Sequence, residues 1–379
     1  MSVQKITLLD RAFQLLDDAR SPQDFTIILH FTEPPDAQGL RVGAVSARER
    51  YGREIKIETQ IDIEQFVNEP FNQYPIKQML NGATLATRFH HAAADGLSAA
   101  LWLGHQLSVA YGLTPPAASA GLSLRRAAMS TRRSRFAYDS GCDSLWTPNA
   151  TRSGNRRWTT FSFPSSDLRH ACRRAGGFTY SDLLATCVLE TFSEWNERHI
   201  RNGRPKVGLW LPMNIRSRSL SGFGNGTSRI RLYARYEQSA SMVEKAREVR
   251  RQVSWTTENG EWAVPDIPLF TFLPGWILGP ALKGYLNLPS VDMATGVFSH
   301  ADRWAGEARE AFKYVDRIEC VGLLHPRQNL AINAATHRQQ TWMTFTYDGA
   351  MLRASDADEL VGIYKRQLAI GEQELSCAS

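Results

Sequence analysis

The chain has 379 residues, 43% of them hydrophobic and 22% charged, and a formal charge of +6. That is globular material with room for two domains, and it excludes a disordered or low-complexity chain. The five cysteines (Cys142, Cys172, Cys187, Cys320, Cys377) are scattered without a C-x-x-C pair; this speaks against a zinc site or a disulfide framework and for a reducing, cytoplasmic compartment.

In chain order, residues 1–11 bring Lys5, Asp10 and Arg11 together and lack the apolar core of a signal peptide. Residues 25–31 (FTIILHF) and 84–91 read as strands, and 97–111 as a helix that Gly112 ends. Between Arg125 and Arg157, eight arginines stand against only Asp139 and Asp143, so the entire net charge falls in this stretch. Its weak apolar periodicity reads as a long exposed linker. Such a charge would favour an anionic partner, the phosphates of coenzyme A or an acidic carrier protein, with a merely solvated loop as the alternative. No aromatic interleaving or reader motif accompanies it, which speaks against nucleic acid.

Beyond the linker, helices are expected at Ser166–Ala175, 181–198, 240–253 and 356–369, the last capped by Ser355 or Asp356. Strands are expected at 207–211, 229–236 and 341–347. The apolar stretch 267–282 is broken by Pro268, Pro274 and Pro280 and is too short to span a membrane. Strands at the ends of each half, with helices between, predict an α/β sandwich in two similar halves, 1–150 and 156–379.

The chemistry concentrates at residues 90–96, HHAAADG. Side chains alternate along a strand, so His91 shares a face with Leu85, Thr87 and Phe89, while His90 shares the other with Ala86 and Arg88. The two imidazoles therefore have different surroundings, and neighbours that point apart make a metal site from His90, His91 and Asp95 implausible. An imidazole fixed at a strand end beside a helix start suits a general base. Asp95 is placed to cap that helix. The glycine-rich segment 222–226 lacks the spacing and lysine of a nucleotide loop, and Asn225 within it reads as a turn residue. The aromatic-rich, proline-punctuated stretch 264–289 is core, a lid or an apolar channel wall.

HHAAADG resembles the H-H-x-x-x-D-G signature of the condensation-domain and coenzyme A-dependent acyltransferase superfamily. The pattern is closest to the wax ester synthase/diacylglycerol acyltransferase and alcohol acyltransferase branches. Residues 8–13 (LLDRAF), 176–182 (GGFTYSD), 211–216 (LPMNIR), the Gly224-Asn225 pair and 296–299 (GVFS) are similar to further elements of the same group. The resemblance implies two chloramphenicol acetyltransferase-like α/β sandwich halves with the active site in a tunnel between them. It marks His91, Asp95 and Gly96 as the catalytic set, with His91 the base and Asp95 paired with Arg216. His90 and Asn214 would give structural support, and Asn225 or Ser299, or the amides near Gly96, would serve the oxyanion. It implies no cofactor: acyl-CoA or a phosphopantetheine thioester on an acyl carrier protein would be a cosubstrate, and the acceptor a small molecule bearing a hydroxyl or amine. A condensation-type enzyme working between carrier proteins, or a catalytically silent carrier-docking protein, are the alternatives. Ser299-His300 stands where the group has Ser-Asn, and the chain is short for the group, so neutral-lipid synthesis is disfavoured.

Overall fold

The computed structural model describes residues 8–59, 62–71, 74–117, 122, 124–125, 134–200, 204–217, 222–237, 239–263, 273–287, 293–302, 308–325 and 327–377. They build two mixed sheets with helices packed on them, an α/β fold of two lobes. In the first, β1 (Asp24–Phe31) lies antiparallel to β4 (Thr84–His90), which pairs with β3 (Ile76–Asn81), which in turn runs parallel to β2 (Ile55–Thr59). The inward side chains Ile27, Leu29, Leu85 and Phe89 pack against Trp102 and Leu103 of α4 (Gly96–Ala110).

Helix α2 (Ala37–Tyr51) crosses α4 on a surface of small residues, Gly43, Ala44 and Ala47. A Cβ on Gly43 would stand 2.2 Å from the Gln106 carbonyl oxygen, so only glycine permits this approach. A buried face of Gly and Ala carries little apolar periodicity, which is why α2 was not among the expected helices.

The second sheet has the order β5-β11-β10-β8-β6-β7, comprising β5 (Arg156–Pro164), β6 (Gly208–Asn214), β7 (Thr227–Tyr233), β8 (Gly296–Ala301), β10 (Leu330–His337) and β11 (Gln340–Asp348). On one face lie α5 (Ser166–Ala175), α6 (Tyr180–His199), α7 (Met242–Glu258) and α9 (Ala354–Cys377), sealing a core that includes Phe192, Trp195, Phe298, Phe345 and Tyr364. The T-x-x-D of GGFTYSD is a capping box at the start of α6: Thr179 and Asp182 satisfy each other's backbone amides. Helix α8 (Gly275–Asn287), part of the 264–289 stretch, rests on α1 (Leu8–Leu16); the rest of that stretch lies outside the described residues. The last helix starts earlier than expected, at Ala354, with Asp356 reaching back to the Arg353 amide at 2.9 Å.

The sheets do not follow chain order. Strand β9 (Val315–Val321), deep in the second half, pairs antiparallel with β1 and completes the first sheet as β2-β3-β4-β1-β9. Its Glu319 also accepts from Trp158 and Thr160 of β5, at 2.9 and 3.1 Å, splicing the two sheets.

Residues 134–155 form no helix or strand, as expected of a connecting segment, but not all of the arginines of the basic stretch are solvated. Arg156 opens β5 and is buried, donating to the Asp24 carboxylate at 3.0 Å beside Arg88 at 2.9 Å. Arg152 donates to the carbonyls of His325 and Gln328 at 2.5 and 2.7 Å. Arg125 and Arg135 lie over Trp262 and Trp255, and Arg157 pairs with Glu64. These guanidiniums are committed within the chain; Arg126, Arg132 and Arg133 lie outside the described residues.

Candidate active site

β4 delivers HHAAADG. It ends at His90, and the chain turns at His91, whose amide donates to the Gln23 carbonyl at 2.9 Å. The strand alternation then separates the two histidines. His90 turns to the Arg88 side, where Nε2 lies 3.4 Å from the Asp17 carboxylate and Nδ1 accepts the Ala92 amide at 3.2 Å. It is held by the fold on both nitrogens.

His91 turns the other way, into aromatic surroundings. Its ring stacks on Phe13 of α1 with centroids 4.4 Å apart and planes 14° from parallel, and Phe25 of β1 is tilted against it at 5.2 Å. Nδ1 is buried without a hydrogen-bond partner. Burial pushes the pKa of His91 down to about 4 against the pull of the Asp95 carboxylate, so the ring is neutral at physiological pH and has a lone pair to offer. The residue as a whole keeps some open surface.

Asp95 both caps α4 and pairs with arginine; the two readings are not alternatives. Oδ1 accepts the Ser98 amide at 2.9 Å. The same carboxylate forms a fork with Arg216, Nη1 to Oδ2 at 2.7 Å and Nη2 to Oδ1 at 2.8 Å. The Gly226 amide and Thr227 hydroxyl add two bonds of 2.8 Å to Oδ2. Burial raises the Asp95 pKa, but the Arg216 charge and these donors outweigh it and hold the carboxyl below its ordinary value. With its carboxylate fully occupied, Asp95 faces the second lobe and not a reacting atom.

Arg216 has its remaining donors satisfied by the Ser98 hydroxyl at 2.8 Å and the Gly224 carbonyl at 2.7 Å. Asn214 supports it, its Oδ1 accepting the Arg216 amide at 3.0 Å. Gly226 permits the packing: a Cβ there would lie 2.7 Å from Arg216 Cγ. Phe223 stacks on Tyr51 of α2 at 4.8 Å, so residues 222–227 key the second lobe into the first.

Asn225 bonds to the His91 segment through one Nδ2 hydrogen, which leaves the second for another acceptor. Nδ2 donates to the His91 carbonyl at 3.0 Å and Oδ1 accepts from the Thr227 amide at 3.4 Å, so this residue fixes the main chain under the imidazole. Ser299 sits in β8 opposite Asn333, on the face alternate to the buried Phe298. Its neighbour His300 is turned to the helix side, bonded to the Ser181 and Thr336 hydroxyls at 2.8 and 3.0 Å. Gly96 is exposed, and a Cβ on it would meet nothing within 4 Å, so the chain's own packing does not demand a glycine there. Sequence reasoning missed Phe13 and Phe25 as neighbours of His91, and the Ser98 hydroxyl as a partner of Arg216. Among the described residues no group of three or more His, Cys, Asp or Glu side chains could hold a metal ion.

No protein-family model matches the chain, and no curated protein sequence does. Solved structures do match. The starter condensation domain of rhizomide synthetase RzmA, in a mutant complexed with C8-CoA, superposes with a TM-score of 0.63 over 97% of this chain and 95% of that one, at 11% identity. The chain shares the fold of this condensation domain. The TRI3 trichothecene 15-O-acetyltransferase of Fusarium sporotrichioides gives 0.61 at 11% identity, over 97% and 94% of the two chains. The wax ester synthase/diacylglycerol acyltransferase of Marinobacter aquaeolei gives 0.57 at 14% identity, over 99% and 100%. These identities speak for the fold; the chemistry must be argued from the site.

Proposed function

We propose that the chain is an acyltransferase that moves an acyl group from a thioester, acyl-CoA or an acylated carrier protein, to the hydroxyl or amine of a small molecule. The observation that carries this reading is His91: a neutral, partly open imidazole stacked on Phe13, at the strand end of an H-H-x-x-x-D-G motif whose aspartate is locked away on Arg216. In the proposed step the acceptor oxygen or nitrogen attacks the thioester carbonyl as His91 takes its proton. The tetrahedral oxyanion then collapses, the carbon–sulfur bond breaks, and the imidazolium returns the proton to the thiolate. No covalent acyl-enzyme is needed. General-base assistance contributes roughly 10²–10⁴-fold, and the remainder comes from holding donor and acceptor together. Ser299 and the second amide hydrogen of Asn225 are the side-chain candidates for the oxyanion.

The protein similar to this chain that was solved with C8-CoA is a condensation domain, which favours as second reading an amide-forming condensation between carrier-bound substrates. Among the described residues no helix is long and apolar enough to cross a membrane, and we infer that the reaction takes place in the cytoplasm. The test is thiol release from octanoyl-CoA and, separately, from an octanoylated carrier protein, each with a panel of alcohols and amines, free and carrier-bound. Release that depends on a free alcohol or amine supports acyl transfer to a small molecule, whereas release confined to amines presented on a carrier protein supports condensation. Absence of release with every pair contradicts both.

A further inference from the structure

Helix α8 presents an apolar ridge that the fold leaves uncovered. Its inner side packs on the protein: Leu278 is buried, Gly275 and Gly279 face Leu15 of α1, and Leu286 lies beside the buried Trp210. A Cβ on Gly275 would stand 3.1 Å from Leu15 Cδ2, so the two helices approach closely. Helix α1 also carries Phe13, the ring stacked on His91, which leaves α8 one helix away from the imidazole.

The outer side consists of Trp276, Ile277, Pro280, Ala281, Gly284 and Tyr285, all exposed and none charged. Their spacing, i, i+1, i+4, i+5, i+8 and i+9, makes one stripe along a helix. Trp276 is 77% exposed, Ile277 40% and Tyr285 57%. Apolar side chains exposed singly need no explanation, but three on one uncharged stripe mark an interaction surface. The rim of that surface is basic. Helix α8 carries Lys283 and no acid, and Arg11 and Arg327 donate to the Leu273 and Leu286 carbonyls at its two ends. Asp18 meets Lys283 at 2.7 Å, so three cations stand against one carboxylate in this set.

We propose that α8 docks the protein on an anionic lipid surface, lying in the headgroup plane with Trp276, Ile277 and Tyr285 entering the lipid. An apolar helix face weakly held by itself becomes a stable anchor when cations beside it meet anionic headgroups. Trp and Tyr suit that depth, each an apolar ring with a polar group that reaches water. A second copy of the chain fits less well: two α8 ridges face to face would bring Lys283, Arg11 and Arg327 against the same cations of the other copy. The proposal goes beyond the acyl-transfer reading and stands without it. Joined to that reading, docking sets the α1 side of the His91 site next to the bilayer.

The test is cosedimentation of the full chain with vesicles of phosphatidylcholine and phosphatidylglycerol in equal parts, beside vesicles of phosphatidylcholine alone. Trp276→Gln/Tyr285→Gln removes both aromatic anchors from exposed positions, with melting temperature confirming the fold. Trp276→Phe keeps an apolar ring, and Val42→Gln alters an exposed apolar residue on α2, away from the ridge. Wild type is expected to partition about tenfold or more in favour of the mixed vesicles. The double variant should lose about tenfold or more of that partitioning, Trp276→Phe much less and Val42→Gln none. Raising salt from about 0.1 M to about 1 M should weaken the binding. Wild type that stays in solution with both vesicles overturns the proposal, as does equal partitioning into the two or a double variant that binds like wild type. A wild-type dimer that the double variant turns into a monomer, without vesicle binding, assigns the ridge to a second copy and overturns it too. No arm reads thiol release, so failure here leaves the acyl-transfer reading to its own test.

Discussion

His91 and Asp95 lie four residues apart and are prepared in opposite senses by their surroundings. Phe13 and Phe25 strip water from the imidazole and lower its pKa to about 4, whereas Arg216 and three hydrogen-bond donors keep Asp95 ionised in a dry site. A base with that pKa is already deprotonated across the neutral range. The acid limb of the kcat/KM profile should therefore fall near pH 4 and not near the ordinary imidazole value of about 6.5. Phe13→Ala, by admitting water, should move that limb upward; a limb unmoved by the substitution would show that the aromatic stack does not set the pKa. For the ion pair, Asp95→Ala leaves the Arg216 guanidinium buried and unmatched and should cost roughly 3–5 kcal/mol. Asp95→Asn, which can still accept hydrogen bonds, should cost less. Denaturant titration of the two variants measures both, and equal stabilities would contradict a charge-matching role.

At the scale of elements, the segment after β6 does the joining. Residues 222–227 bond to Asp95, Ser98 and the His91 carbonyl and insert Phe223 beside Tyr51. Gly226→Ala would drive a methyl group into the Arg216 side chain, so a stability loss of about 1–3 kcal/mol is expected, with a loss of turnover as the Asp95 fork is displaced. A variant with wild-type melting temperature and turnover would show that the fork tolerates displacement.

Much of this site was legible because its parts are local: a strand alternation separates His90 from His91, a cap position marks Asp95, and LPMNIR supplies the arginine. The burial of two arginines in the basic stretch was not legible, for the opposite reason. The partners of Arg152 and Arg156 are carbonyls and a carboxylate more than 80 residues away, and nothing near them in sequence announces burial.

Across the whole molecule, β9 ties the lobes together. Without it β1 would be a bare edge and the first sheet would lose Ile318 and Val321 from its inner faces. A fragment of residues 1–150 also lacks Arg156, one of two guanidiniums on Asp24; it should show no cooperative unfolding transition by circular dichroism, and a cooperative one would mean that the first lobe is self-sufficient. Buried histidines set the acid response. Burial pushes the pKa values of His91, His300 and His325 down to about 4, 3 and 3, below the ordinary imidazole value of about 6.5. Between those values the unfolded chain binds protons that the native chain refuses, so stability is fully present above pH 6.5 and falls as pH drops toward 4 and 3. Melting temperature followed from pH 7 to 4 should decline through this window; a flat profile would contradict the burial of these rings.

The central claim is that His91 takes the acceptor's proton. Its most direct test is the turnover of His91→Ala beside the wild type, in thiol release from the thioester and acceptor that the wild type uses, with melting temperature confirming the fold. Loss of a general base predicts a fall in kcat of about 10²–10⁴-fold with the fold intact; turnover within a few-fold of wild type would contradict it.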